Sequence, residues 1–279
     1  MKDTRINFDY LHINTKDRGG TFLMEKAIIG GTGFYEIGQK VSKKLVETKY
    51  GEVEIDIVTI EGEEIGFLPR HGKGHAVPPH FVNYRANIMA LKQMGVKYVY
   101  ATAAVGSFNE NYEPGDVVVL KDFLDFTKSR PLTFFEGEDG VVRHVDMSDP
   151  YCSNLRAKFY NAAKKEDLLI KGDAVYVCTE GPRFETAQEI RMYKNLGADV
   201  VGMTNVPEVI LAKELGMCYA AVGIVSNWAT GMKGSITLHE IKDTLELNKE
   251  KVIKTFIRVF LEEKLDQNHC SCNRAVIEL

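Results

Sequence analysis

The strongest constraint on the fold is a regular alternation over residues 174–226. Short apolar runs at 174–179, 199–203 and 218–226 have the length of strands. Between them, 186–196 and 206–215 carry helical spacing of apolar residues. Gly197 and Gly216 close the two helical segments, where a residue free to adopt the left-handed conformation is favoured. Strands alternating with helices imply an α/β fold around a central mixed β-sheet flanked by helices. The first half supplies more of the same material. Residues 26–29 form a short apolar strand running into Gly30-Gly31-Thr32-Gly33, and 43–69 alternate as a strand meander with turn signals at Gly51 and Gly62. Residues 81–94 are helical and end at Gly95, 96–102 are a buried strand, and 149–164 and 237–264 are helices, the latter long and amphipathic. Residues 1–23 are polar and unpatterned, and read as a loose extension or as the product of a start codon upstream of the true one. Residues 266–279 form a polar tail, so a single domain over 24–265 is expected between two fringes.

The net charge of −4, with no basic block, argues against a nucleic-acid or membrane-surface binder. No apolar run reaches the ~18 residues that span a bilayer, and the N-terminus lacks the apolar core of a secretory signal. The five cysteines are few and odd in number, which fits a reducing cytoplasm. Cys270-Ser271-Cys272 is a poor pair for either a bridge or a metal. One intervening residue strains a disulfide, and structural zinc wants four ligands where only His269 is near. These residues are expected to belong to a flexible tail, and no metal is expected.

The chemistry concentrates in Glu180-Gly181-Pro182-Arg183-Phe184-Glu185-Thr186 and in Asn227. They offer one ligand an aromatic face, a carboxylate and a carboxamide. A carboxylate only accepts hydrogen bonds, whereas a carboxamide donates and accepts. That set suits a purine with a ring N–H and a carbonyl better than one with an amino group and a bare N1. The Gly30–Gly33 loop follows a strand, where glycines let backbone N–H groups approach an anion and Thr32 adds a hydroxyl. It reads equally as a tight strand-to-helix turn. A dinucleotide-dependent oxidoreductase is disfavoured, because Gly31-x-Gly33-x-x-Glu36 lacks the third glycine. Arg70-His71 ends a strand with a planar guanidinium and an imidazole, a pair suited to oxyanions. Taken singly, Phe184 and Met203 read as core, Glu185 as a solvated residue at a helix start, and Asn227 as a turn residue.

Taken in order, the motifs say more. They are Gly30-Gly31-Thr32-Gly33; Arg70-His71-Gly72 with Pro78-Pro79-His80 and 82–87; 180–186; and Gly197 to Thr204 with Val206-Pro207-Glu208. Over roughly residues 25–262 this ordered set resembles the purine nucleoside phosphorylase and methylthioadenosine phosphorylase family. The resemblance implies a single-domain α/β fold, a homotrimer or dimer of trimers, and phosphorolysis of a purine nucleoside to free base and ribose 1-phosphate. Inorganic phosphate is then a co-substrate and no cofactor is needed.

The resemblance also implies roles. Thr32, Arg70, His71, Ala103, Ala104 and Thr204 would surround phosphate, with His80 a weaker member of the same lining. Ala103 stands where relatives often carry a polar side chain, so there and at Ala104 only backbone or shape is offered. Met203 would lie under the ribose and Phe184 against the base. Glu185 would accept from the base N1–H, and Asn227 would hydrogen-bond at N7 and toward O6, with Trp228 and Ala229 beside it. Adenine-specific relatives carry aspartates at the places of Asn227 and Ala229, so this chain looks like the 6-oxopurine branch, acting on inosine, guanosine or methylthioinosine. His144 would reach the 5′ substituent in a neighbouring subunit, and reads equally as a surface histidine. At the start of the long helix, Leu238 facing inward would suit a methylthio group and His239 a hydroxyl. The rival readings are a methylthioadenosine phosphorylase and, from another class, a nucleoside-binding protein without turnover, which Ala103 alone would allow.

Overall fold

The computed structural model describes residues 24–31, 41–72, 76–233 and 238–279. Its central sheet holds β1 (Lys26–Gly30), β2 (Val41–Thr48), β3 (Gly51–Ile60), β4 (Glu63–Pro69), β5 (Tyr98–Ser107), β6 (Val117–Phe126), β8 (Ile170–Thr179), β9 (Val200–Gly202) and β10 (Cys218–Trp228). Their order is β10-β6-β8-β9-β5-β1-β4-β3-β2, and β10 also pairs with β5. Five strands therefore close on themselves, while β1, β4, β3 and β2 continue outward from β5. Pairing is mixed. β1 runs parallel to β4 and β5, β5 parallel to β10, and β10 antiparallel to β6.

Helices cover this sheet. They are α1 (Tyr84–Gln93), α2 (Ser153–Lys165), α3 (Ala187–Asn195), α4 (Asn205–Glu214) and α5 (Leu238–Glu262). Residues 218–226 of β10 are buried without interruption, as a strand covered on both faces requires. One core layer packs α1 and α4 on the sheet, and a second packs α2 and α5 on it. In the second, the Phe256 ring of α5 stacks on Tyr100 of β5 at 4.6 Å, and the Tyr100 hydroxyl donates to the Leu155 carbonyl at 2.7 Å. Burying such large aromatic surfaces is a main driving force for the assembly. Asn83 caps α1 by accepting from the Ala86 N–H at 3.0 Å. Thr186 and Glu189 form a reciprocal capping box at α3.

Two features depart from the sequence reading. β6 falls in 103–148, which carried no expected element. Its first four residues are buried, but Lys121, Asp122 and Asp125 break the apolar run of its second half. The polar tail is also built into the fold. β11 (Val276–Glu278) pairs antiparallel with β7 (Arg143–Val145), the Gln267 amide donates to the Gly216 carbonyl at 2.8 Å, and Cys272 and Ala275 are buried. Gly216, at φ +68, lets this segment pass close: a Cβ there would meet the Asn273 Cα at 3.4 Å. The N-terminal extension expected over 1–23 lies outside the described residues.

The end of α4 carries a titratable group that couples folding to pH. Burial pushes the Glu214 carboxyl up to about 7, although it accepts from the Phe134 N–H at 2.7 Å and the Thr133 hydroxyl at 2.6 Å. The folded value lies above the unfolded one, so the folded chain keeps a proton that the unfolded chain releases. This stabilisation is complete below about pH 4 and is lost as pH rises through about 7. Moving from 4.5 to about 7 corresponds to roughly 3 kcal/mol. Urea unfolding of Glu214→Gln at about pH 5 and about pH 8 should show a pH-dependent loss smaller by that order. Identical pH dependence in parent and variant would refute the assignment.

Candidate active site

The C-terminal ends of parallel strands β1, β4, β5 and β10 converge on one cavity, and the segments after β8 and β9 complete it. Ligands in open α/β sheets bind at such strand ends. The cavity encloses about 250 Å³. It gathers Gly31, Arg70, His71, Ala103, Ala104, Phe184, Glu185, Met203, Thr204, Asn227 and Ala229, which are drawn from segments far apart in the chain.

Arg70 anchors one end. Its side chain is fully buried, and Nε and Nη2 each donate to Glu208 at 2.6 Å while Nη1 donates to the Thr102 carbonyl at 2.8 Å. Glu208 also accepts from the Tyr219 hydroxyl at 2.6 Å. Burial alone opposes the arginine charge. The paired carboxylate more than offsets it and raises the guanidinium pKa, so Arg70 is a permanent cation at the cavity wall. Of the five N–H donors of a guanidinium, these bonds use three and leave two for a ligand. The planar fork expected to meet an oxyanion is thus turned largely toward Glu208. Gly31 stands against this group. A Cβ there would lie 2.7 Å from the Thr102 carbonyl oxygen and 2.9 Å from Arg70 Nη1, so only glycine fits. The Gly31 N–H is itself held by the Thr102 hydroxyl at 2.9 Å.

His71 is buried beside it with Nδ1 2.8 Å from the Val77 carbonyl oxygen. A carbonyl only accepts, so Nδ1 carries a proton. Thr204 is buried, and its N–H donates to the Tyr176 hydroxyl at 3.1 Å.

At the other end, Glu185 is 6% exposed, and its Oε1 accepts from the Thr179 hydroxyl at 2.6 Å. Burial raises its pKa, and the Thr179 hydrogen bond opposes that rise. One carboxylate oxygen remains to accept from a ligand. Phe184, next to it, is 51% exposed, an uncovered ring at a cavity mouth. Across the cavity the Asn227 amide is fixed at both ends: its Oδ1 accepts from the Ser226 hydroxyl at 2.7 Å, and its Nδ2 donates to the Trp228 carbonyl at 2.9 Å. That orientation leaves one N–H to donate inward. Ala229 is buried, with its N–H on the Ser107 carbonyl at 2.7 Å.

Some expected residues fall elsewhere. Trp228 does not line the cavity, whereas Ser226, Asn227 and Ala229 do. Its ring sits under the Lys233 ammonium at 4.4 Å instead. His144 is exposed on β7 opposite Ile277, away from this chain's cavity. His80 packs on Phe81 at 4.3 Å outside the lining, although its neighbour Pro79 belongs to it. Thr32 and the side chains of Leu238 and His239 lie outside what is described. One turn further along α5, Ile241 does line the cavity.

Sequence reasoning also missed supports of the site. Arg130 is buried; it donates to the carbonyls of Glu180 at 2.8 Å and Val206 at 2.7 Å, tying the segment that leads to Phe184 and Glu185 to the start of α4. No motif surrounds it. Glu208 stands inside a motif that the sequence displayed, but its partner Arg70 becomes evident only in the folded chain.

Residues 25–261 match the family model described as the phosphorylase superfamily. A 6-oxopurine nucleoside phosphorylase of Pyrococcus furiosus is 47% identical over 258 residues, covering 90% of this chain and 97% of that one. A probable S-methyl-5'-thioinosine phosphorylase of Methanothermobacter thermautotrophicus is 46% identical, covering 89% of this chain and 88% of that one. Among solved structures, a methylthioadenosine phosphorylase from an antarctic soil metagenomic library superposes with a TM-score of 0.82 at 35% identity, covering 92% of this chain and 93% of that one. The chain belongs to the phosphorylase superfamily and shares its single-domain α/β fold.

Proposed function

We propose that this enzyme cleaves 6-oxopurine nucleosides with inorganic phosphate, releasing the free base and ribose 1-phosphate or its 5-methylthio counterpart. The observation that carries the reading is the base end of the cavity, where one carboxylate, Glu185, faces one carboxamide, Asn227, with alanine at 229. An acceptor for N1–H and a donor for N7 match hypoxanthine or guanine. A methylthioadenosine phosphorylase is disfavoured because the aspartates of adenine-specific relatives are absent at 227 and 229. A nucleoside-binding protein without turnover is disfavoured because Arg70 retains donors for an anion at the opposite end.

In this mechanism the C1′–N9 bond breaks while phosphate waits against the ribose. The bond pair leaves with the purine, and positive charge grows on the ribose. Phosphate, held by the free N–H groups of Arg70, by His71, by Thr204 and by the loop at Gly31 and Thr32, stabilises that charge and forms the new C–O bond. The proton of hydrogen phosphate ends on a purine ring nitrogen. Asn227 donates to N7 as electron density collects there, and Glu185 holds N1–H. Ala103 and Ala104 contribute shape and backbone. Met203 underlies the ribose and Phe184 covers the base. No cofactor enters beyond phosphate as co-substrate. The proposal extends to a cytoplasmic homotrimer or dimer of trimers, in which the exposed His144 reaches a neighbour's substrate. Ile241 in the lining supports an apolar 5′ wall.

Phosphate-dependent rates measured side by side for inosine, guanosine, adenosine, methylthioadenosine and methylthioinosine test this reading. A preference for the 6-amino substrates would refute it, and binding without base release would favour the nucleoside-binding protein. The double variant Asn227→Asp, Ala229→Asp should move preference toward 6-aminopurines in direct competition. An unchanged preference would remove the pocket assignment.

A further inference from the structure

The sulfurs of Cys152, Cys218, Cys270 and Cys272 all lie within 4.8 Å of one another. They come from three parts of the chain: the N-terminus of α2, the first residue of β10, and the tail beyond α5. Cys152, Cys218 and Cys272 are buried and Cys270 is partly buried. The Cys218 and Cys270 sulfurs are 3.4 Å apart. A tetrahedral zinc–thiolate centre with Zn–S near 2.3 Å has sulfur–sulfur edges of about 3.8 Å, so small side-chain movements bring four such sulfurs onto its corners.

The surroundings fit a group of negative charge. Lys213 is 2% exposed, and its ammonium donates to the Asp149 carbonyl at 2.5 Å and lies 3.9 Å from the Cys272 sulfur. The Gln267 amide lies 3.7 Å from the Cys218 sulfur.

We propose that these four cysteines form a structural Zn²⁺ site that fastens residues 266–279 to the start of β10 and to α2. Binding forms four Zn–S bonds and releases the thiol protons to solvent, with no change of oxidation state. The tetrathiolate centre carries two negative charges, which the Lys213 ammonium and the Gln267 amide partly offset. The site lies apart from the cavity and takes no part in the proposed chemistry.

The test uses the full chain purified under reducing conditions without a metal-affinity column. Elemental analysis should find one zinc per chain, released in step with mercurial titration of the thiols. Cys152→Ser and Cys272→Ser should each lose it, while Cys178→Ser, outside the cluster, should keep it. Should the serine variants fail to fold, the parent protein still decides. Stripped of metal and titrated with Co²⁺, it should develop the intense visible spectrum of a cobalt tetrathiolate at one equivalent. No cobalt spectrum with four titratable thiols in the cluster would overturn the proposal. So would a mass showing two bridges among the four cysteines in place of metal.

Discussion

Replacing Asn227 with alanine is expected to lower turnover by about 10²-fold or more, the usual cost of removing one fixed donor aimed at developing charge. The geometry gives the reason. The Ser226 hydroxyl and the Trp228 carbonyl hold both ends of the amide, so its remaining N–H is already aimed before substrate arrives. Such a donor needs no reorganisation as the purine gains charge. The loss should fall on kcat, with KM for phosphate little changed, because Arg70 and His71 stand at the other end of the cavity. Steady-state phosphorolysis of inosine measures both. A variant within twofold of the parent would remove Asn227 from the mechanism. Ser226→Ala should produce a smaller loss of the same kind, since it frees only one end of the amide.

Glu208→Ala should be the most damaging single substitution for stability, by about 3–5 kcal/mol, because it leaves Arg70 charged, buried and unpaired. Both carboxylate oxygens accept from Arg70 at 2.6 Å, and the Tyr219 hydroxyl loses its acceptor as well. Urea unfolding reads the effect directly. Under 1 kcal/mol, the order of an exposed surface pair, would mean that the guanidinium finds another partner. The double change Arg70→Met, Glu208→Leu separates folding from function. An apolar pair of similar volume is often neutral or stabilising, so this chain should fold at least as well as Glu208→Ala yet use phosphate poorly.

Much of the fold was legible because its signals are local. β10 reads as a strand because burial on both faces demands an unbroken apolar run, and α3 and α4 read as helices because Gly197 and Gly216 stop them. β6 was not legible, since its charged second half hides the period. β7 and β11, at three residues each, are too short to show one. Phe184, Glu185 and Asn227 were legible as residue types but not as one place, because only the closed sheet sets the segment after β8 beside the end of β10 in a single cavity. Arg130, Thr102 and the pairing of Glu208 with Arg70 were not legible, for their value lies in contacts between distant segments. The cysteines failed for the same reason. Cys270 and Cys272 looked like a lone pair in a tail because nothing local ties them to Cys152 and Cys218.

The closure of five strands has an outcome for how the molecule behaves in a crowd of its own copies. Among the described strands of the sheet, β2 alone has a neighbour on a single side, so the backbone groups available to template another chain are confined there. Ser42, Lys43, Lys44 and Glu47 line that border and are exposed, and Lys43 pairs with Glu54 at 3.3 Å. Charge on the rim discourages edge-to-edge stacking, which protects a β-rich chain against aggregation.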